Sequence, residues 1–446
     1  MADEQDRQGT TGGISRRELL KRGAAGAGGV MLSGALSSPA WARPNAHDAD
    51  TITIGFISPI TGPAAGFGEG DPYILGLARA AFKKGLTVGG KHYNVNIVSK
   101  DSQSNPAQCA KVANDLIHGN NVDLLLATST PESVNPASDA AEANGVPSVS
   151  TVVPWESWYF GRGAKPGKPS PFKYTYHFCF GTEQFADAYL HLWSQVKTNK
   201  RVGVMWPNDA DGNAIRANLG PLLAKGGYKI LDPGAYQDGT TDYSSQIAFF
   251  KKNKCQIFNT FPIPPDFTTF WRQAAQQGYT NQVKIAQIAK TGLFPSQVLV
   301  LGKLGPGLAS GAYWAPSFPY KSSLNGMTSK ALGNGYTKKT GKQWNQQLGA
   351  SLALFDVAKA VLLKSGNPKD KNAVANAFKN LKVSTISGDF HWGVGGPHNP
   401  VPNCVTTPIV GGQWVKTKGR FAIDFLLEEH SYDKRIKVQG KLKPYR

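Results

Sequence analysis

Thr51-Ile52-Thr53-Ile54-Gly55-Phe56-Ile57 runs into Ser58-Pro59-Ile60-Thr61-Gly62-Pro63-Ala64-Ala65-Gly66-Phe67-Gly68, and this join decides the fold. The first stretch is rich in β-branched and aromatic residues and reads as a buried strand. The glycines and prolines after it read as a loop at the strand's C-terminal edge. Asp71-Pro72 then opens a helical pattern, with Ile74, Leu77, Ala78 and Ala81 on one face and Asp71 expected as the cap. Such a unit puts open backbone where open α/β sheets bind small ligands.

Upstream lies an export signature. Ser15-Arg16-Arg17-Glu18-Leu19-Leu20-Lys21 is followed by a small-residue run, Gly23 to Ala40, and by Ala40-Trp41-Ala42. Arg16 and Arg17 mark a twin-arginine signal peptide over residues 1–42, with an A-x-A cleavage site, so the mature chain is expected in the periplasm. After Ala42 no apolar run reaches ~18 residues, so nothing downstream is expected to span a bilayer. Removing residues 1–42 takes away five basic and four acidic side chains, and the net charge of +19 becomes +18. The lysines are scattered, and pairs such as Lys251-Lys252 and Lys338-Lys339 fall at expected helix ends, where cations suit the dipole. No basic stripe with stacking aromatics appears, so nucleic acid is not an expected partner. Cys109, Cys179, Cys255 and Cys404 allow three disulfide pairings in an oxidising compartment, and the choice stays open. Cys109 lies on a helical apolar face and reads as a buried thiol.

Outward from the first strand, apolar runs suited to buried strands recur near 94–99, 122–127, 146–151, 201–206, 228–231, 255–260, 283–288 and 309–315. Helical patterns fill the gaps, as in Asn105-Pro106 before Cys109, Val112 and Leu116, and Pro264-Pro265-Asp266 before Phe267, Phe270 and Trp271. This alternation predicts parallel sheets with helices on both faces. The strands are too many for one doubly wound sheet, so the expected fold class is α/β with two doubly wound lobes. Residues 154–172, with Trp155, Trp158 and several prolines, read as a long ordered insertion. After Ser384 turn clusters replace helical periodicity, and a β-rich tail is expected. No internal repeat is evident.

Signatures of catalysis fail on their spacing. Gly66-Phe67-Gly68-Glu69-Gly70 puts Asp71 where a dinucleotide fingerprint needs glycine. Gly85-Leu86-Thr87-Val88-Gly89-Gly90-Lys91 resembles a phosphate loop, but His92 replaces the hydroxyl residue and the segment precedes a strand, so it reads as a turn. The histidines show no zinc spacing, and no G-x-S-x-G elbow occurs. No cofactor, metal or enzymatic activity is expected.

What remains is a set of polar loops at strand ends. Ser129-Thr130 follows 122–127, and Ser150-Thr151 closes 146–151. Trp206-Pro207-Asn208 follows 201–206, and Pro262-Ile263-Pro264-Pro265-Asp266 follows 255–260. Helix N-termini beside such loops suit a carboxylate, and hydroxyls and rings would fix and cover an organic solute.

In this order and spacing the chain resembles the branched-chain amino-acid (Leu/Ile/Val) type of periplasmic solute-binding proteins of ABC importers. The resemblance rests on Ile54-Gly55 through Gly62-Pro63, Asp101 with Asn105-Pro106, Asn135-Pro136-Ala137-Ser138-Asp139, Gly145-Val146-Pro147, Asp242-Tyr243-Ser244 and Arg272-Gln273-Ala274. It implies a type I periplasmic binding fold with three crossovers and a ligand cleft between the lobes. Lobe 1 would comprise 51–178 plus 313–386, and lobe 2 would comprise 179–312 plus 387–446. Ser129, Thr130, Ser150 and Thr151 would hold a ligand carboxylate, Phe67 would lie against the ligand, and Asp266 would pair its ammonium. Trp155, Trp206, Asn208 and Ile263 complete the expected site. The bulk of Trp155 and its neighbours points to a planar or aromatic solute. The resemblance implies a monomeric receptor that captures a small carboxylate-bearing solute by hinge closure and delivers it to a membrane permease. A sensor of the same fold, an exported α/β enzyme and a basic surface-binding protein stand as alternatives.

Overall fold

The computed structural model describes residues 50–445. The first pass forms strands β1 (Thr51–Ser58), β2 (Leu86–Val88), β3 (Lys91–Asp101), β4 (Leu124–Thr128), β5 (Ser148–Thr151) and β6 (Thr175–Phe178). Helices α1 (Asp71–Ala81), α2 (Pro106–Asn114), α3 (Pro131–Ala143) and α4 (Trp155–Tyr159) lie between them. The second pass forms β7 (Arg201–Met205), β8 (Lys229–Leu231), β9 (Ile257–Thr260), β10 (Ile285–Ile288) and β11 (Ala309–Ala312). Its helices are α5 (Thr182–Trp193), α6 (Ala210–Lys225), α7 (Ser244–Lys252), α8 (Pro264–Gln276) and α9 (Pro295–Val300). The return brings α10 (Ser329–Thr340), α11 (Gln347–Lys364), α12 (Lys371–Phe378), β12 (Lys382–Thr385), β13 (Gly388–His391) and β14 (Cys404–Val405), and the tail adds β15 (Val410–Lys416) and β16 (Ile423–Leu427).

Two seven-stranded sheets result, in the orders β14-β6-β5-β4-β1-β3-β2 and β16-β15-β11-β10-β9-β7-β8. Both share a run of five parallel strands, β3-β1-β4-β5-β6 in one and β8-β7-β9-β10-β11 in the other, and β14 adds a sixth to the first. Numbered within these five strands the order is the same, so the lobes repeat one central topology without repeating sequence, and differ at the sheet edges. The winding reverses between β1 and β4 and between β7 and β9. At such points the outgoing loops part and leave a crevice.

The chain crosses between the sheets three times: between β6 and β7, between β11 and α11, and between β14 and β15. α11 belongs with the first sheet, where Phe355 stacks on Phe56 at 5.6 Å. The stretch 387–446, expected wholly in lobe 2, divides instead: β14 pairs with β6 in the first sheet, and β15 and β16 extend the second.

Period-two side-chain alternation explains the layering. Ile52, Ile54, Phe56, Leu124 and Leu126 point to one face of the first sheet, and Ile57, Leu125 and Ala127 join Val112, Leu116 and Trp158 on the other. The insertion 154–172 is pinned there: Trp158 stacks on His177 at 5.0 Å, and the Arg162 guanidinium lies 4.6 Å over Trp158 and 4.0 Å over Phe172. The segment 85–91, expected as a turn, holds strand β2 itself, and only Gly89-Gly90, at φ +59° and +83°, the conformation glycine permits, forms the hairpin turn into β3.

Asn105 caps α2 as expected, accepting from the Gln108 N–H at 2.9 Å. Asp71 does not cap α1. It sits one residue inside the helix, fully buried, and accepts from the Ser351 hydroxyl at 2.8 Å. All four cysteines are buried and unpaired, so none of the three disulfide pairings forms. Among the described residues no helix is long and apolar enough to cross a membrane. Arg16, Arg17 and the signal segment lie outside the described residues.

Candidate functional site

Loops from the C-terminal edges of both sheets and from all three crossings converge on one cavity, with about 460 Å³ of space, part of it open to solvent. The first lobe contributes Phe67, Ser129, Val152 and Pro154. The crossings contribute Phe180, Tyr313 and Ile409, and the second lobe contributes Phe185, Tyr189, Asp211, Phe261 and Lys290.

The backbone is strained where it enters this cavity. Ser129, just past β4, has φ +128°, and Val152, just past β5, has φ +75°. A β-branched residue in that region is a steric outlier, and such conformations persist only where the surroundings impose them. The effect is to turn the chain sharply at two strand ends and present Ser129 to the cavity. Its Oγ is buried and has no hydrogen-bond partner among the described residues.

Six rings wall the space: Phe67, Phe180, Phe185, Tyr189, Phe261 and Tyr313. They are held by one another. Phe185 meets Phe180 at 4.8 Å and Phe261 at 5.1 Å, both edge-on, and Phe67 meets Phe294 edge-on at 4.8 Å. Edge-on contacts are favourable for the ring quadrupoles and leave ring faces available to a flat occupant.

The charge in the cavity comes from the second lobe. Lys290, just past β10, is buried with its Nζ 3.0 Å from Asp211 Oδ2 and 3.5 Å from Asp209 Oδ2. Asp209 also caps α6, its Oδ1 accepting from the Gly212 N–H at 2.6 Å. Burial alone would pull the Lys290 ammonium down, but Asp211 and Asp209 outweigh it and hold the charge firmly. Burial pushes the Asp211 carboxyl up to about 6, Lys290 opposes this, and Asp209 and Glu132 add to it. The cluster thus carries two carboxylates around one cation.

Of the ten residues expected from sequence, Phe67 and Ser129 line this cavity. Thr130 stands beside it at the start of α3, its Oγ1 buried and unpartnered among the described residues. Ser150 and Thr151 turn into the sheet, toward His177 Nδ1 at 2.8 Å and the Phe178 carbonyl at 2.7 Å. Burial holds that His177 down at about 3, so the ring is neutral; Nε2 then donates to the Val153 carbonyl at 2.7 Å and Nδ1 accepts from Ser150. Trp155 lies against Phe160 at 5.6 Å, while its neighbour Pro154 reaches the cavity. Trp206 is buried in the core, donating to Asn259 Oδ1 at 2.9 Å. Asn208 is exposed and ties its loop to the Tyr236 carbonyl at 2.8 Å. Ile263 is half-buried at the start of α8, and Asp266 Oδ2 accepts from the Gly239 N–H at 3.0 Å. Asp266, expected to face an ammonium, does not line the cavity.

The sequence reading missed Lys290, Asp211 and the rings of the crossings. Lys290 was within reach, because it follows a strand that was foreseen. Phe185 and Tyr189 stand i, i+4 on α5 and share a face, but nothing local shows which face meets a cavity.

A family profile described as "Periplasmic binding protein" matches residues 51–407. Leu/Ile/Val-binding protein homolog 3 of Brucella melitensis is 24% identical over 349 residues, 76% of this chain and 86% of its own length. Among solved structures, a leucine-binding protein of Thermotoga maritima superposes with a TM-score of 0.65 at 18% identity, covering 84% of this chain and 97% of its own. A solute-binding protein of an ABC transporter from Rhodopseudomonas palustris, solved with 3,4-dihydroxybenzoic acid, superposes with a TM-score of 0.64 at 18% identity, covering 85% and 99%.

Proposed function

The chain belongs to the periplasmic binding protein family, and from that premise we propose that it is the solute receptor of an ABC importer, closing two lobes by a hinge on a small carboxylate-bearing solute with a flat or apolar body. Proteins of this family bind small solutes and pass them to membrane permeases; they are receptors and not enzymes. The twin arginines Arg16 and Arg17 support export by the twin-arginine route to the periplasm, where the mature chain would act as a monomer.

The observation that carries this reading is a single cavity with Ser129 on one lobe, Lys290 on the other and rings from both. A solute whose carboxylate meets the Ser129 hydroxyl and whose hydrogen-bond donor meets the Asp211–Lys290 pair would draw on both lobes at once. A solute shifts the hinge equilibrium only if the closed state makes contacts that the open state cannot. The six rings supply stacking surface, and offset or edge contacts are each worth about 1 kcal/mol beyond area burial. The relatives point the same way: leucine and 3,4-dihydroxybenzoic acid are both small carboxylates. The ring-lined walls here favour the flatter kind.

The test is a thermal-shift screen of the mature chain against amino acids, aromatic acids, amides and urea-like compounds, followed by small-angle scattering with each hit. A solute at ~1,000 times its dissociation constant adds ~4 kcal/mol of apparent stability. Hits among carboxylates, with a smaller radius of gyration on binding, are expected. A screen without hits, or tight binding with no contraction, would sink the reading.

A further inference from the structure

Two cations far apart in sequence, Lys338 and Arg420, line one groove in the fold. Lys338 lies in the last turn of α10, and Arg420 lies in the turn between β15 and β16; Lys339, Lys342, Lys416 and Lys418 are close to them in sequence. Between these segments the groove holds about 1070 Å³ of space, part open to solvent, against about 460 Å³ for the solute cavity. Its two walls come from different lobes. α10 packs on the first lobe, where Tyr336 meets Tyr73 of α1 at 5.7 Å and Lys342 pairs with Glu69 at 2.8 Å. The β15–β16 turn extends the second sheet. Gln343 joins the two walls, its Nε2 donating to the Ile423 carbonyl at 2.9 Å.

The other end of that amide is open. Gln343 is only 8% exposed, and its Oε1 has no hydrogen-bond partner among the described residues. A buried acceptor left without a donor is costly, so it asks for an explanation. Asp424 lines the same groove; its Oδ1 accepts from the Phe425 N–H at 2.9 Å and lies 3.5 Å from Gln343 Nε2, and burial pushes its carboxyl up against these bonds. On either side stand Lys338 and Arg420, neither with a carboxylate partner among the described residues. Trp344 and Phe421 complete the lining.

Two exposed cations beside the unpartnered Gln343 oxygen and the Asp424 carboxyl fit a phosphate carried on a polyol. Arginine and lysine bind phosphate oxygens strongly, and the neighbouring hydroxyls would donate to Gln343 Oε1 and Asp424. We propose that this groove is a second binding site, separate from the solute cavity, for a glycerol phosphate group. Because its walls belong to different lobes, an occupant holds one lobe arrangement and is thereby linked, reciprocally, to solute binding.

The group can reach the groove as a free polyol phosphate or as a phospholipid headgroup, and two arms separate these sources. In the first, the mature chain is titrated calorimetrically with glycerol 3-phosphate, inorganic phosphate and glycerol. In the second, it is sedimented with phosphatidylglycerol or phosphatidylcholine vesicles. Glycerol 3-phosphate is expected to bind about tenfold more tightly than phosphate or glycerol, or the chain to sediment with phosphatidylglycerol vesicles alone. Both cations are exposed, so Lys338→Ala with Arg420→Ala should fold normally and weaken the active arm at least about tenfold. Gln343→Leu should keep affinity for phosphate and lose the preference for its glycerol ester. Binding in neither arm, equal binding by the doubly substituted chain, or no gain from the glycerol moiety would overturn the proposal.

Discussion

The two lobes share a strand order but handle buried carboxylates in opposite ways. In the first lobe Asp71 is buried with no cation paired to it among the described residues; burial pushes its carboxyl up to about 7, with the hydroxyls of Ser58 and Ser351 pulling the other way. In the second lobe Asp209 and Asp211 surround Lys290, which keeps charge inside the protein. One lobe neutralises its acid with a proton and the other with a side chain. Only the second arrangement leaves a fixed charge facing the cavity, so the lobes divide recognition: hydroxyl and strained backbone on one wall, charge on the other.

The largest expected effect tests that division directly. Lys290→Met leaves Asp209 and Asp211 buried without their cation, and breaking a buried pair from one side costs about 3–5 kcal/mol. Calorimetric unfolding at pH 7.5 should show that loss. It should shrink as pH falls toward 5, where the carboxylates can take up protons. A loss independent of pH would mean the cluster is not held by charge.

Asp71→Asn probes the other lobe. In the fold Asp71 keeps its proton up to about pH 7, but in the unfolded chain only to about pH 4. The folded state therefore binds more protons between those values, and stability falls as pH rises through the window. Asn removes this dependence. Urea unfolding should show the variant ahead by up to ~4 kcal/mol at pH 8 and level with the parent near pH 4. Parallel pH curves for the two proteins would show that Asp71 is ionised throughout.

Two smaller comparisons concern the cavity walls. Phe185→Ala removes a ring that touches Phe180 and Phe261, and should weaken a solute found by the screen by about tenfold or more, the scale of ~1.4 kcal/mol. Trp155→Ala, whose ring lies outside the cavity, should change affinity by less than about threefold. Calorimetric titration of both variants decides, and equal losses would move the wall to include Trp155. Finally, Ser129→Gly relieves a φ of +128° and should raise stability by about 1 kcal/mol while lowering affinity. A variant both more stable and equally tight would show that the Ser129 hydroxyl plays no part in binding.

How much of this was legible depended on the range of the interaction. All nine apolar runs form strands, because a buried parallel strand is written in a few consecutive residues. Asn105 capped its helix as read, because a cap needs only its own next turn. Asp71 had the same local signature and failed as a cap, because Ser351, 280 residues away, draws its carboxylate into the interior. Strand β6 went unread behind the proline-rich insertion, although the first crossing was expected directly after its last residue, Phe178. Phe180 stands two residues past that boundary, and no local pattern shows that its ring faces a cavity. Tyr313 and Ile409 lie on the other two crossings, whose positions no local pattern marks. Ser150 and Thr151 looked like a carboxylate loop but spend their hydroxyls on the neighbouring strand.

By itself the sequence determined the alternation of strand and helix, and with it parallel sheets whose strand-end loops gather at one edge of each lobe. Period and punctuation act within about ten residues, so they survive in any context the chain provides. Only the tertiary structure decided which loops meet. That outcome rests on where three distant segments cross between the sheets, and on a lysine brought within reach of two aspartates some eighty residues earlier in the chain. Contacts at that range are fixed by packing and charge neutralisation in the finished fold, and no short stretch of residues carries them.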